Sequence, residues 1–216
     1  MATYLETINA VLARLRETEV ASFSESSYSK LIGAFVNDAK REIEDAWDWT
    51  VLRTEITVAC VVGTTQYTLA GTNERTRLRV SVNDTHDNYL PPILSDQYFY
   101  YTKIGTTTPT NPSRYRVRGW DGMGQLLVDV WPEPNSTDSL VFEVLNPQPD
   151  FTSDSTIVKV PHWLLYQRAL VDAIDERGDD QGSKAGPRMQ IYERNLADAI
   201  AIDAGRAKGE TDWKVV

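Results

Sequence analysis

Glu44-Asp45-Ala46-Trp47-Asp48-Trp49-Thr50 is the stretch on which the fold turns, because the hydrophobic period changes across it. On its N-terminal side Leu31, Ile32, Phe35, Val36, Ala39, Ile43, Ala46 and Trp47 recur at the 3-then-4 spacing of one helical face. Gly33 is the single weak helix former in that run. On its C-terminal side Val51, Arg53, Glu55, Thr57 and Ala59 alternate with Leu52, Thr54, Ile56, Val58 and Cys60, so the period drops to two and a strand is expected over Thr50 to Val62. The two tryptophans therefore mark a helix-to-sheet junction, with Trp47 expected in the helical layer and Trp49 expected to open the sheet.

Working outward, Thr3 to Arg16 reads as a first helix with Leu5, Ile8, Val11, Leu12 and Leu15 on one face, and Thr3 with Glu6 fits a capping box. Val20 to Ser26 is a polar hinge whose serines can cap the second helix, which predicts an antiparallel helix pair. Further strands are expected at Gln66 to Leu69, Leu78 to Val82, Arg114 to Arg118, Leu126 to Trp131 and Leu140 to Leu145, separated by Gly, Pro, Asn and Thr clusters. Ser95 to Ile104 reads as a short helix capped by Ser95 or Asp96, and Gly105 to Ser113 as an irregular loop.

Helix returns at Pro161, a good first-turn residue, with Trp163, Leu164, Tyr166, Leu170, Val171 and Ile174 following at helical spacing until Arg177-Gly178. A break is expected over Gln181 to Pro187, then a last helix over Arg188 to Lys208 with Ile191, Tyr192, Leu196, Ala199 and Ile200 inward. The expectation is an α+β chain in which an antiparallel bundle of four main helices from both chain ends, residues 1–49 and 156–209, is interrupted by an antiparallel β-sandwich or barrel-like domain at 50–155. Residues 210–216 form a C-terminal tail.

Length and an apolar content of 41% suit a chain of 216 residues that buries a real core. A net charge of -9 argues against a surface that wraps nucleic acid, since phosphate binding needs clustered Lys and Arg, yet it suits a surface past which duplex DNA must slide. Cys60 is the single cysteine, so an intrachain disulfide and a thiolate zinc cluster are excluded, and the thiol reads as core filler. Without a signal-like start or an apolar run of membrane-spanning length, the chain is expected to be soluble, unsecreted and made in the cytoplasm.

Catalytic constellations are nearly absent, and no catalytic residue, cofactor site or metal site is assigned. His86 and His162 are distant in sequence, and Asp172, Asp175, Glu176, Asp179 and Asp180 lack the central Gly and closing Glu of a calcium loop. Gly119-Trp120-Asp121-Gly122-Met123-Gly124 lies between two strands, which suits a hairpin turn and not a phosphate cradle. Tyr98, Phe99, Tyr100, Tyr101 and Trp120 offer an aromatic surface for packing or, less readily, for stacking a ligand. Trp213, Val215 and Val216 are apolar residues past a Gly-bounded helix end, where an interface anchor and a tail folded back on its own bundle weigh evenly.

The order of parts resembles the head-to-tail adaptor proteins of short-tailed bacteriophages, also called tail tubular protein A. The resemblance rests on the helix pair ending Ala39-Lys40-Arg41-Glu42-Ile43-Glu44-Asp45-Ala46-Trp47-Asp48-Trp49, the inserted strands, the return helix Val160-Pro161-His162-Trp163-Leu164-Leu165-Tyr166-Gln167-Arg168-Ala169-Leu170 and the ending Trp213-Lys214-Val215-Val216. It implies a structural, non-enzymatic virion protein at the head–tail interface, a homo-oligomeric ring, expected as a dodecamer. It also implies portal protein, tail nozzle and fibre proteins as partners, double-stranded DNA as a passenger through the lumen, and no membrane. The segment Trp213, Lys214, Val215 and Val216 would reach the portal. The competing classes are a polysaccharide hydrolase using carboxylates such as Asp129 and Glu143, and a carbohydrate-binding module using Trp120 and the tyrosines.

Overall fold

The computed structural model describes residues 2–105, 108–178 and 185–206. In chain order the elements are α1 (Tyr4–Arg14), α2 (Ser27–Ala46), a 3-10 turn (Thr50–Leu52), β1 (Arg53–Ala59), β2 (Gln66–Leu69), β3 (Arg77–Asn83), β4 (Asn88–Tyr89), α3 (Ser95–Lys103), β5 (Arg114–Trp120), β6 (Leu126–Trp131), β7 (Ser139–Leu145), α4 (His162–Arg177) and α5 (Ala185–Arg206). The fold is α+β. By internal contacts it divides into one unit drawn from Met1–Leu52 with Gln148–Val216, and a second formed by Arg53–Pro147, against the 50–155 expected from the hydrophobic pattern.

In the first unit α4 packs against α2, α5 and α1, and α1 against α2. The capping box of α1 is present: Glu6 N donates to the Thr3 hydroxyl and Thr3 N to the Glu6 carboxylate. Ser26 with Ser29 makes the equivalent box on α2. At Gly33, the apparent weak point of α2, side chains of α1 press close, and a Cβ there would run into the Tyr4 hydroxyl. Burial first, then the Asp154 and Asp150 carboxylates, push that buried phenol up to about 12.

The buried face of α2 is less apolar than its pattern suggests, since Lys40 and Glu44 are wholly buried on it while Ala46 is exposed. Both hold the chain that returns from the sheets: the Lys40 ammonium donates to the carbonyls of Gln148 (2.8 Å) and Pro149 (2.7 Å), and Gln148 N donates to Glu44. Asn37 pairs reciprocally with the Phe151 backbone, and Thr3 bridges to Ile157. Residues 148–158 are therefore stitched to the helices and join the first unit by contacts.

The second unit holds two antiparallel sheets, ordered β1-β7-β3-β4 and β2-β6-β5. They do not close into the barrel that was one of the expected forms. Leu140, Phe142 and Val144 of β7 share one buried cluster with Leu69 of β2 and Val128 and Val130 of β6, so the alternate residues of both sheets fill a common core. The hairpin turn expected at Gly119–Gly124 lies between β5 and β6 at Asp121–Gln125, because Gly119 and Trp120 already pair with β6; Met123 N and Gln125 N donate to the Asp121 carboxylate.

Several expectations need correction. The first strand starts at Arg53 and not at Thr50, because Trp49 and the 3-10 turn belong with the helices. The α3 N-cap is Leu94, without a side-chain cap bond, in place of Ser95 or Asp96. The two-residue strand β4 lies outside the predicted set, as it is too short to show a period. Helix α5 begins at Ala185, since Pro187 sits in its first turn, where the missing N–H costs nothing. Ile191 points to solvent, and Asp203 takes a buried place on that helix. Asp179, Asp180 and residues 207–216, with Trp213, Lys214, Val215 and Val216, lie outside the described residues.

Candidate functional site

The junction at Trp47 to Leu52 is fixed from both ends by hydrogen bonds. Trp49 is 2% exposed, and its indole N–H donates to the carbonyl of Ile43 at 2.6 Å, covering an acceptor that the end of α2 leaves without an intrahelical partner. Leu52 N then donates to Trp49 O, closing the 3-10 turn. On the other side Asp203 of α5, 4% exposed, accepts from Trp47 Nε1 at 3.2 Å, Thr50 N at 2.9 Å and Thr50 Oγ1 at 2.7 Å. Arg206, one turn on, lies 3.9 Å from the same carboxylate. Trp47 is thus bonded to α5, and Trp49 also belongs with the helices instead of opening the sheet, because its one polar atom is spent on the end of α2.

Beside this lock is an open groove of about 330 Å³ lined by Trp49, Val51, Lys159, Trp163, Ile202 and Arg206, with Pro161, Ala199 and Asp203 completing it. Its walls are mostly apolar side chains from the turn, the segment before α4, and α5. Its rim carries exposed Lys159 and Arg206.

In the second unit a cleft of about 640 Å³ runs between α3 and the strands β5 and β6. Arg116 organises it: the guanidinium lies 4.0 Å over the Tyr98 ring and 5.1 Å over Phe99, and it pairs with buried Asp129 across the β5–β6 ladder. Arg118 lies 3.8 Å from the same carboxylate. Tyr101 stacks on Trp131 with ring centroids 4.8 Å apart. Phe99, Tyr100 and Trp120 remain largely exposed, while Tyr98 is buried.

The carboxylates considered for hydrolysis do not form a free pair. Asp129 stands on β6 in the grip of Arg116, and Glu143 stands on β7 of the other sheet, paired with Arg79 at 3.3 Å. His86 and His162 fall in different units; His86 Nε2 is 3.4 Å from Asp138, and His162 sits in the first turn of α4. Asp172 pairs with Arg168 on its own helix. Burial pushes the Asp172 carboxyl up despite that guanidinium. Among the described residues no group of His, Cys, Asp and Glu is arranged to hold a metal ion, and no helix is long and apolar enough to cross a membrane.

Asp203, Lys40 and Glu44 are the residues that sequence reading passes over. Each falls on the apolar stripe of its helix, Asp203 four after Ala199 and Lys40 four after Val36, and a charged residue in register with a buried face is the available signal.

Comparison with known families gives a match to the SU10 adaptor protein family over residues 2–213, so the chain belongs to that family. It is a phage structural adaptor protein and a virion component, in agreement with the resemblance read from the order of its parts. No curated protein matches the chain.

Proposed function

We propose that this adaptor closes into a homo-oligomeric ring, a dodecamer, at the portal vertex, joining portal protein above to the tail nozzle and fibres below. Double-stranded DNA passes through its lumen. The family match over residues 2–213 carries this reading. Cyclic closure needs two different complementary patches on each copy. A candidate for one of them is the exposed Leu94, Phe99, Ile104 and Trp120 of the second unit. A net charge of -9 keeps the phosphate backbone from sticking to the lumen wall. In this reading the four long helices form an antiparallel bundle, the two sheets form a sandwich, and Trp213, Lys214, Val215 and Val216 reach the portal.

Native mass spectrometry of the full chain, alone and mixed with its virion's portal, tests the proposal. A discrete closed oligomer in the presence of portal is expected. Monomers only, under both conditions, would overturn it. A chain ending at Arg206 should stay folded yet fail to join portal; unchanged joining would remove the tail from the portal contact.

A further inference from the structure

We infer that the apolar groove beside the Asp203 lock is the resting site of the chain's own segment Glu210-Thr211-Asp212-Trp213-Lys214-Val215-Val216 while the subunit is free. The inference deepens the portal-docking role proposed for that segment, by naming where it lies before portal is met.

Three observations point the same way. The groove presents exposed apolar surface, with Ile202 at 59% and Val51 at 40% exposure over a floor of buried Trp49 and half-buried Trp163. Its volume of about 330 Å³ is near the lower end of the range for ligand pockets, roughly 300–1,000 Å³, enough for an indole and a small aliphatic residue but not for a packed helix. The segment supplies Trp213 with Val215 and Val216 and no longer apolar run.

Reach and charge agree with this. The last described residue of α5, Arg206, itself lines the groove, so the segment is tethered from the rim. Trp213 follows seven residues later, an extended reach of about 23 Å, and Gly209 permits the reversal needed to return. Glu210 and Asp212 in the segment complement Lys159 and Arg206 on the rim. A segment tethered this closely meets the groove at a high effective concentration, so even a weak contact is populated in the free subunit. Portal, offering a better site, would then take the segment by exchange, and the groove and the segment would shield each other's apolar surface until that moment.

The test uses the free, full-length chain carrying Ile202→Cys and Val215→Cys, with buried Cys60 left in place, treated with a short thiol cross-linker and read by mass spectrometry. An intrachain link between the two introduced thiols, at positions 202 and 215, is expected, reduced at least severalfold when Trp213→Ala is added. Interchain links alone would assign the groove to a second copy and overturn the inference, as would a yield unchanged by Trp213→Ala. Hydrogen exchange supplies an independent readout: in an otherwise natural chain, Ile202→Glu, a change at an exposed position, should speed exchange in residues 207–216 and at Val51. Unchanged exchange at both would also overturn the inference. Because no portal is present, failure here leaves portal docking untouched, and failure of portal docking leaves the groove contact to stand or fall on these links.

Discussion

At the scale of single residues, the charged groups that matter most are those that organise backbone. Asp203 gathers Trp47 Nε1, Thr50 N and Thr50 Oγ1, and so determines where the chain leaves α2. Asp203→Ala would leave these donors without their acceptor beside a buried tryptophan, and a loss of about 2–4 kcal/mol is expected from the cost of unmet buried donors. Asp203→Asn keeps one acceptor oxygen and should cost less. Urea unfolding followed by tryptophan fluorescence checks the order; equal losses would show that the hydrogen bonds are not what holds the junction. The register of Asp203 with Ala199 is the one trace of this in sequence; its partners are not legible there, because Thr50 and Asp203 are 153 residues apart and a lone Asp on a helix more often faces water. Lys40 is hidden for the same reason: its acceptors are the backbone carbonyls of Gln148 and Pro149, which carry no side-chain signal.

At the scale of elements, legibility follows the strength of the local period. Strands β2 and β6 fall at Gln66–Leu69 and Leu126–Trp131, as read, because alternate residues face a shared core and turn residues bound them closely. The alternation also runs through Thr50–Leu52, where a tertiary hydrogen bond from Trp49 to Ile43 overrides it and a 3-10 turn results. Helix α3 is weak by its own sequence: it has no side-chain cap bond and, of its residues, only Tyr98 is buried. It is held instead through Arg116, whose guanidinium lies against Tyr98 and Phe99 while pairing with Asp129. Arg116→Ala would strip a buried carboxylate of its main partner, and should cost about 3–5 kcal/mol. Arg116→Lys keeps the charge but not the planar face, so it should restore part of the stability while α3 stays loosened. Hydrogen exchange at Tyr98 to Thr102 separates the two: exchange as slow in the lysine variant as in the parent would show that charge alone holds the helix.

At the scale of the whole molecule, acid should weaken both units, and for one physical reason. In the second unit Asp138 is buried, which by itself raises its pKa, but hydrogen bonds from Ser136 and Asn83 and the neighbouring His86 outweigh burial and hold the carboxyl below its ordinary value. In the first unit Asp150 is exposed, and the desolvation it suffers is overcome by Arg41 and Lys40, which hold its carboxyl below the ordinary value. A carboxyl with a folded-state pKa below its unfolded value stabilises the fold above the unfolded value, near 3.9, and that contribution is lost as pH falls through the folded value. Urea midpoints should therefore hold between pH 7 and 5 and fall below about pH 4. Asp138→Asn should lower the midpoint at pH 7, since His86 and the Ser136 hydroxyl lose a charged acceptor, and should flatten the acid decline of the second unit. Asp150→Asn should do so for the first. Hydrogen exchange followed by mass spectrometry, read separately in peptides of α2 and α4 and in peptides of β6 and β7, reports the two units apart. If each substitution flattens only its own unit's decline, the units lose protonation-linked stability independently. If either flattens both, the units unfold together.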